Sequence, residues 1–562
     1  MTSTEFSRRR FLRSAAVTTS AIGAAAAIPS AQSQISVDTT PELHEFDLPP
    51  LPFLHGVASG DPLPDAVVIW TRVTPDEAAF PGSGVGLPTT LHWEVAEDDG
   101  FGVVVKQGEV VSDPLSDHTI HVDVQGLDPD RVYFYRFTVA TGPHEGAVSP
   151  TGRTKTAPTG AVDNQRWAVA SCANWESGFF SAYADMAERA WAGELDLTVF
   201  LGDYIYEYAH NEYAGRGPVR KHHPAHEILT LADYRTRYGR YRTDPALQDA
   251  HAALPWIVVW DDHEVANNNS REGAANHQPY EGEFSARRDA AMRAYYEWMP
   301  VRHTETSAKG RLYRSFTFGD LVDLTIMDLR TYRDVEFWRG GSRQPGDART
   351  MLGTEQYDWL TDTLEQSTAT WSALGNSVMF SPLHIGAVFH NPATRPIAKS
   401  LSSNILTSEV PMPEINELPL NGDQWDGYDF ERRRLINTLG RLNKTPIFLT
   451  GDIHSEWCHS IHHGGEEIGC EVVCSSITAP NAAESTGIPA GSALFGAANR
   501  YLHAANPDLQ HVCLDSHGYT VVDISPDTVR IDWMRVDNIL VPESDTRLAH
   551  SMVWRKDYGF IA

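Results

Sequence analysis

Short apolar runs broken by turn residues fill residues 53 to about 155. RVYFYRFTVA, beginning at Arg131, alternates apolar and polar side chains, the period of a strand with one buried face. AVVIWTRV, TTLHWEVA, GVVVKQGEVV and HTIHVDVQGL have similar length and spacing. Together they predict a small antiparallel β-sandwich over 51–160, of the immunoglobulin or fibronectin type III kind, that packs and positions without chemistry of its own. PTGAVDN at 158–164 reads as the linker after it. From residue 165 the pattern changes. QRWAVASC, DLTVFLGD, LPWIVVWDD, LVDLTIMDLR, TWSALGNSVMFS and KTPIFLTGDIH are continuous apolar runs, as in strands buried on both faces. Between them SAYADMAERAWA, EILTLADYRTRYG, SARRDAAMRAYYEWM and EQYDWLTDTLEQS carry helical periodicity, so 165–562 reads as an α/β domain. The Gly-, Ala- and Asn-rich stretch 479–506 predicts a long loop system. YTVVDISPDTVRIDWMRVDN predicts antiparallel strands at a sheet edge.

A chain of 562 residues is too long for one small core and fits two domains. Its fifteen tryptophans point to a ring-rich interior or ring-lined clefts. The N-terminus adds a destination. Ser7-Arg8-Arg9-Arg10-Phe11-Leu12 precedes an Ala-rich run ending in small residues near Ala31, the pattern of a twin-arginine signal over 1–31. That run is too short and too rich in Ala, Thr and Ser for a membrane anchor. Residues 32–50 form a polar, Pro-rich, mobile lead-in. The expectation is a secreted, monomeric protein handed to the twin-arginine export machinery already folded, a route that suits a metal loaded before export.

The formal net charge is −29, and the presequence holds four arginines against one glutamate, so the remainder is more acidic still. This excludes a nucleic acid partner. No basic amphipathic helix marks more than a transient membrane-surface contact.

Candidate chemistry lies where the apolar strands end. WAVASCANW ends at Cys172; TVFLGDYIYEY at Asp203, with Tyr206 three residues on; PWIVVWDDHEVANNN at Asp261, Asp262 and His263, then Glu264, Asn267 and Asn268; PIFLTGDIHSEW at Asp452 and His454. Ligand sites of open α/β sheets lie at the carboxyl ends of strands, so four such ends converge if the strands are neighbours. An Asp after Gly is often only a turn former or helix cap, and each motif alone is weak. The set of four suits metal-assisted attack of water on a phosphoester. Thiol and phenol beside carboxylate and imidazole favour a transition metal, and an oxygen-only side suits a harder cation.

GDYIYE, WDDHEVANN, WDGY and LTGDIHSEW, in that order, resemble the PhoD-like alkaline phosphatases, a family that includes secreted actinobacterial phospholipase D enzymes within the calcineurin-like metallophosphoesterases. HGVASGDPLPDAVVIWTRV near the start has the same look. The resemblance implies a four-layer α/β/β/α sandwich behind the small N-terminal β-sandwich. It implies Fe3+ held by Cys172, Asp203, Tyr206 and His454. Asp203 would bridge to one or two Ca2+, with Asp452 on the calcium side. The DDHEVANN segment supplies a further oxygen, from Asp262 in one register and Asn268 in the other. Asp262 as ligand leaves His263 as acid or transition-state stabiliser.

Arg330 and Arg333, in MDLRTYRD, either face the phosphate or form ion pairs, and Arg330 joins His263 and Asp262 as a catalytic candidate. Arg287 and Arg288 read as a solvated helix face. Trp425 and Tyr428 either line the cleft or pack. His222, His223 and His226, in KHHPAHE, read as loop histidines of an insert that caps the site.

Five cysteines leave one over when the rest pair. With Cys172 taken as ligand, the other four cysteines allow three connectivities; CHSIHHGGEEIGCEVVC reads as a hairpin placing Cys458 nearly opposite Cys470, which favours the one in which Cys474 pairs with Cys513. The expected activity is hydrolysis of phosphomonoesters at alkaline pH with some phosphodiesterase activity, the alternative being a phospholipase D that releases lipid head groups. A degenerate binding protein would need broken ligand motifs, and none is broken.

Overall fold

The computed structural model describes residues 50–302, 310–336, 349–401 and 421–561. The export signal and all but the last residue of the lead-in lie outside them. Two large sheets form the body. In the first, Gln165–Ala170, Leu197–Leu201 and Pro255–Val259 run parallel side by side. In the second, Val322–Ile326, Trp371–Asn376, Pro446–Thr450 and Glu466–Val473 do the same. These are the predicted apolar runs, and nearly every residue in them is buried. The two sheets share one core, in which Val199 and Leu201 of the first meet Leu324, Ala373 and Ile447 of the second.

Helices cover the outer faces. Ser181–Trp191, Leu231–Tyr241, Pro245–Ala253 and Phe284–Trp298 pack on the first sheet. Gly353–Gln366 and Asp429–Arg441 pack on the second through Tyr357, Leu360, Leu435 and Leu439. The four-layer α/β/β/α expectation holds. Gly518–Ile524 pairs antiparallel with Gln165–Ala170 and Thr528–Val536 with Gly518–Ile524, the antiparallel strands predicted at a sheet edge, and Thr546–Arg555, beyond the predicted stretch, adds a further antiparallel strand.

The N-terminal sandwich has one sheet of its own, Val104–Val111, Thr90–Ala96, Val132–Val139 and Gly152–Lys155. Its other sheet is shared. Val57–Leu63 pairs in parallel with Pro255–Val259, and Ala66–Arg72 and Thr119–Gln125 follow, so these three strands complete the ten-stranded sheet. The physical cause is visible in the burial pattern. Val132–Val139 alternates between buried and half-buried positions, whereas all seven residues of Ala66–Arg72 are buried, which requires cover on both faces.

Two sequence expectations fail here. The stretch 479–506 contains helices Ala482–Thr486 and Ala493–Ala505 rather than one long loop. Asn481 caps the first with Glu484 in a capping box, and Phe495, Ala498 and Leu502 bury one face of the second. The two disulfides are absent: all five cysteines are free thiols. The hairpin of Glu456–His463 with Glu466–Val473 forms as predicted, but its register sets Cys458 opposite Val472 and Cys470 opposite Ser460. Cys474 instead lies 3.4 Å from the Ser171 hydroxyl, and the Cys513 thiol donates to Asp515. Titration of the denatured, metal-free protein without reductant is expected to give five thiols per chain. A single titratable thiol would restore the two-bridge scheme.

Candidate metal centre

Three of the four strands carrying candidate ligands end in a sharp left-handed turn, and the segment after the fourth turns the same way at Asn268. Cys172, Asp203, Asn268, Asp452 and His454 all have φ between +52° and +66°. Such backbone costs a non-glycine residue roughly 1–3 kcal/mol and persists where the surroundings over-determine it. Gly202, ahead of Asp203, is forced by both φ and space: a Cβ there would lie 2.3 Å from the Asp261 Cβ. The turns bring the four strand ends together, as the sequence pattern predicted.

Three donor groups result, each with its donor atoms within 4.8 Å of one another: Cys172, Asp203 and His454; Asp203, Asp262 and His263; Asp261, Asp262 and Asp452. Asp203 joins the first two and Asp262 the last two. The Tyr206 hydroxyl donates to Asp203 Oδ2 at 2.9 Å and lies 3.3 Å from His454 Nε2. His454 Nδ1 is 2.9 Å from the Pro480 carbonyl oxygen, which fixes the proton on Nδ1 and leaves the Nε2 lone pair facing Tyr206 and Asp203. Asn268 stands beside Asp262, its backbone N–H donating to Asp262 Oδ2 at 2.5 Å. The donor set, soft on one side and all oxygen on the other, fits two unlike cations sharing Asp203.

Around this sits a second layer of charge. His263 Nδ1 is 2.6 Å from Glu207 Oε2, and Glu207 also accepts from the Asn267 N–H and the Asn276 amide. Arg330 is wholly buried and does not open onto a cleft. It donates through Nε and Nη2 to both oxygens of Asp261, at 2.6 and 2.7 Å, and through Nη1 to Asp423, at 2.8 and 2.9 Å. Its Nη2 also reaches Asp452 at 3.4 Å. Arg333 binds the same Asp423 at 2.6 Å. Ion pairing, rather than an open phosphate contact, is what the geometry gives both arginines.

Residues 167–533 match the PhoD-like phosphatase family, and residues 39–158 match the N-terminal domain of PhoD-like phosphatases. The chain belongs to the PhoD-like phosphatases. Alkaline phosphatase D of Bacillus subtilis (strain 168) is 37% identical over 574 residues, spanning 98% of this chain and 88% of that protein. The solved structure of PhoD superposes with a TM-score of 0.76 at 35% identity, covering 92% of this chain and 93% of that one. A purple acid phosphatase from yellow lupin seeds, at 11% identity, TM-score 0.51 and coverage of 90% and 75%, shares the fold. This PhoD-like phosphatase is a metal-dependent phosphoester hydrolase.

Other sequence candidates take structural places. Arg287 is buried, not solvated, and donates to the Tyr234 hydroxyl, the Asn276 carbonyl and Glu227, whereas Arg288 is partly exposed beside Asp289. Trp425 and Tyr428 pack: the Trp425 indole donates to Asn376 and the Tyr428 hydroxyl to the Asp334 carbonyl. His222 is buried 3.7 Å from Glu176, while His226 is exposed and pairs with Asp233. Two site groups escaped notice: Glu207 and Asp423. Glu264 accepts the backbone N–H groups of Asp203, Tyr204 and Asp261, binding two ligand turns together. Glu207 lies inside the GDYIYE motif already singled out. Asp423 follows no apolar strand, and nothing in the sequence marks it.

Crowded carboxylates shape the electrostatics. Burial pushes the Asp452 carboxyl up to about 8, reinforced by Asp261 and Asp423. Burial also pushes Asp203 well above the carboxylate range, His263 opposing. Glu264 rises to about 7, again through burial. Burial disfavours a charged His263 ring, but Asp262, Asp203 and Glu207 together outweigh it and hold the ring protonated well above the usual range. A carboxyl whose folded pKa exceeds its unfolded value favours the fold fully at low pH and loses that contribution as pH rises through the folded pKa. The buried neutral histidines His55, His222 and His251 act oppositely, but only below about pH 6.5. Metal-free protein is therefore expected to lose stability from about pH 6.5 to pH 8, with divalent cations restoring most at the alkaline end. Thermal unfolding with and without chelator checks this; a chelated midpoint that rises toward pH 8 rejects it.

Proposed function

We propose that the chain is a secreted alkaline phosphomonoesterase with phosphodiesterase activity, working through Fe3+ and Ca2+ held at one buried site. The observation that carries the proposal is the division of donors about one shared carboxylate. Cys172, Tyr206 and His454 offer sulfur, phenolic oxygen and imidazole nitrogen, a set suited to iron. Asp262, Asp452 and Asn268 offer only oxygen, a set suited to calcium, and Asp203 serves both sides. Metal ions held there polarise the phosphoryl oxygens and acidify the attacking water.

The remaining work falls to the chain's own groups. His263, braced by Glu207, is the proton donor to the leaving oxygen. Without metal, Asp262, Asp203 and Glu207 hold its proton well above the usual imidazole range, and Glu207, which is not a proposed ligand, keeps its share of that effect when cations are bound. Arg330 acts on the site at one remove, by fixing Asp261 and Asp423 and reaching Asp452. The twin-arginine pattern at Arg8-Arg9 supports export of the folded, iron-loaded protein. A small-molecule phosphoester is the substrate and a monomer the working unit.

Metal analysis of protein exported from its natural host is expected to find about one iron per chain, with calcium above it. Cys172→Ala should lose the iron while remaining folded. Zinc alone with full activity would reject the ligand assignment. Rates on an aryl phosphate, a phosphodiester and phosphatidylcholine then separate the substrate classes, and turnover fastest on the lipid would replace the phosphomonoesterase with a phospholipase.

His263→Ala is expected to lower kcat on alkyl phosphates by about 10²–10⁴-fold. On p-nitrophenyl phosphate, whose leaving group departs without a proton, the fall should be much smaller. An equal fall on both substrates rejects His263 as the acid.

A further inference from the structure

Behind the Cys172 sulfur lies a short chain of polar atoms that the hydrolytic chemistry does not use. Cys172 Sγ is 3.2 Å from the Ser171 hydroxyl, and that hydroxyl is 3.4 Å from Cys474 Sγ. All three residues are buried, at 1%, 1% and 0% exposure, so water does not substitute for any of these contacts. Room for the hydroxyl is built in: a Cβ on Gly451 would lie 2.7 Å from Ser171 Oγ. The segment after Cys474 locks the arrangement. The Ile477 N–H donates to the Ser171 carbonyl, and the N–H groups of Thr478 and Ala479 both donate to the Cys172 carbonyl, at 3.3 and 3.0 Å.

We propose that Ser171, backed by Cys474, is the hydrogen-bond donor that tunes the Cys172 thiolate. With sulfur protonated, Cys172 donates to the Ser171 oxygen and the serine hydrogen turns to Cys474. With sulfur present as thiolate, both bonds reverse: the Ser171 hydroxyl donates to Cys172 and the Cys474 thiol donates to Ser171. A hydroxyl is suited to this reversal because it both donates and accepts. A hydrogen bond at a metal-bound thiolate withdraws electron density from sulfur and thereby tunes the potential of the metal it holds. Ser171 and Cys474 are positioning residues in this scheme and touch no substrate.

The inference rests on the iron reading of the site, and the experiment distinguishes the two. Exported holoprotein is examined for iron content, the thiolate-to-iron absorption band and the midpoint potential. Ser171→Ala, which removes both hydrogen bonds, is expected to move the band to longer wavelength and the potential downward with iron still bound. Cys474→Ala should shift both in the same direction by less, and Cys474→Ser, which retains a donor, should restore the wild-type values. An iron-loaded Ser171→Ala protein with unmoved band and potential overturns the proposal while the iron site stands. Should Ser171→Ala fail to load iron, identical spectra and potentials for Cys474→Ala and Cys474→Ser overturn it instead. Wild-type protein without iron or without a thiolate band takes down both readings.

Discussion

Four buried aspartates, Asp203, Asp261, Asp262 and Asp423, crowd together with the half-buried Asp452 near the strand ends of two sheets, and the rest of the structure answers to that concentration of charge. At an effective dielectric constant of 20, two like charges 4 Å apart repel by about 4 kcal/mol, and each buried ion forfeits several kcal/mol of hydration. No arrangement of hydrophobic strands tolerates this without counter-charge. Arg330 and Arg333 supply it permanently on the side of Asp261 and Asp423, and Asp423 accordingly stays below the usual carboxylate range despite burial. Asp203 and Asp452, which share fewer fixed cations, are pushed upward by burial, and so is Asp261 in spite of Arg330. That imbalance marks the place where an added cation stabilises the protein most, and it coincides with the donor groups that suit one.

The same constraint explains the backbone. A strand delivers one side chain at its end toward its own face, whereas a shared cation needs donors from several strands aimed at one point. The left-handed turns at Cys172, Asp203, Asp452 and His454 redirect the donors inward. Asp and His enter this conformation more readily than most residues, and Cys172 does so with less reason of its own. Its carbonyl accepts two N–H groups from the 478–479 segment, which holds the turn from outside the strand. Glu264 does the same for the Asp203 and Asp261 turns. The strain is local and its supports are named.

How much of this was legible from the residues follows from where the signal lies. Parallel strands buried on both faces read as unbroken apolar runs, and each candidate ligand sits within four residues of the end of such a strand, except Tyr206 and Asn268, which follow within the same motifs. Strand-end chemistry therefore announced itself. Asp423 has no strand before it and takes part through Arg330, a contact 93 residues away in sequence. Arg287 reads as surface because a helix of such composition has charged residues on most sides; only the inward pointing of one guanidinium toward Tyr234 and Glu227 distinguishes it from Arg288. The disulfides failed for a related reason. Parity and hairpin spacing place cysteines on neighbouring strands, but a bridge needs directly opposed positions, and here the register is offset by two residues.

The N-terminal module also reads differently once its strands are placed. An appendage would leave the catalytic sheet complete, but Val57–Leu63 is the neighbour of Pro255–Val259, the strand that delivers Asp261, Asp262 and His263. Without it that strand would present an open edge, unpaired on one side and free to slip or to pair elsewhere. The junction is reinforced where charge meets packing: Arg314 holds Asp61 with two bonds of 2.7 and 3.0 Å, and Arg72 and the Trp298 indole both reach Asp117. These contacts tie the module to the helix Phe284–Trp298 and to the edge of the second sheet. The module supplies no candidate ligand, yet the position of His263, the proposed acid, depends on a strand it keeps from being an edge. Pairing on both sides holds that strand end in place beside the other three.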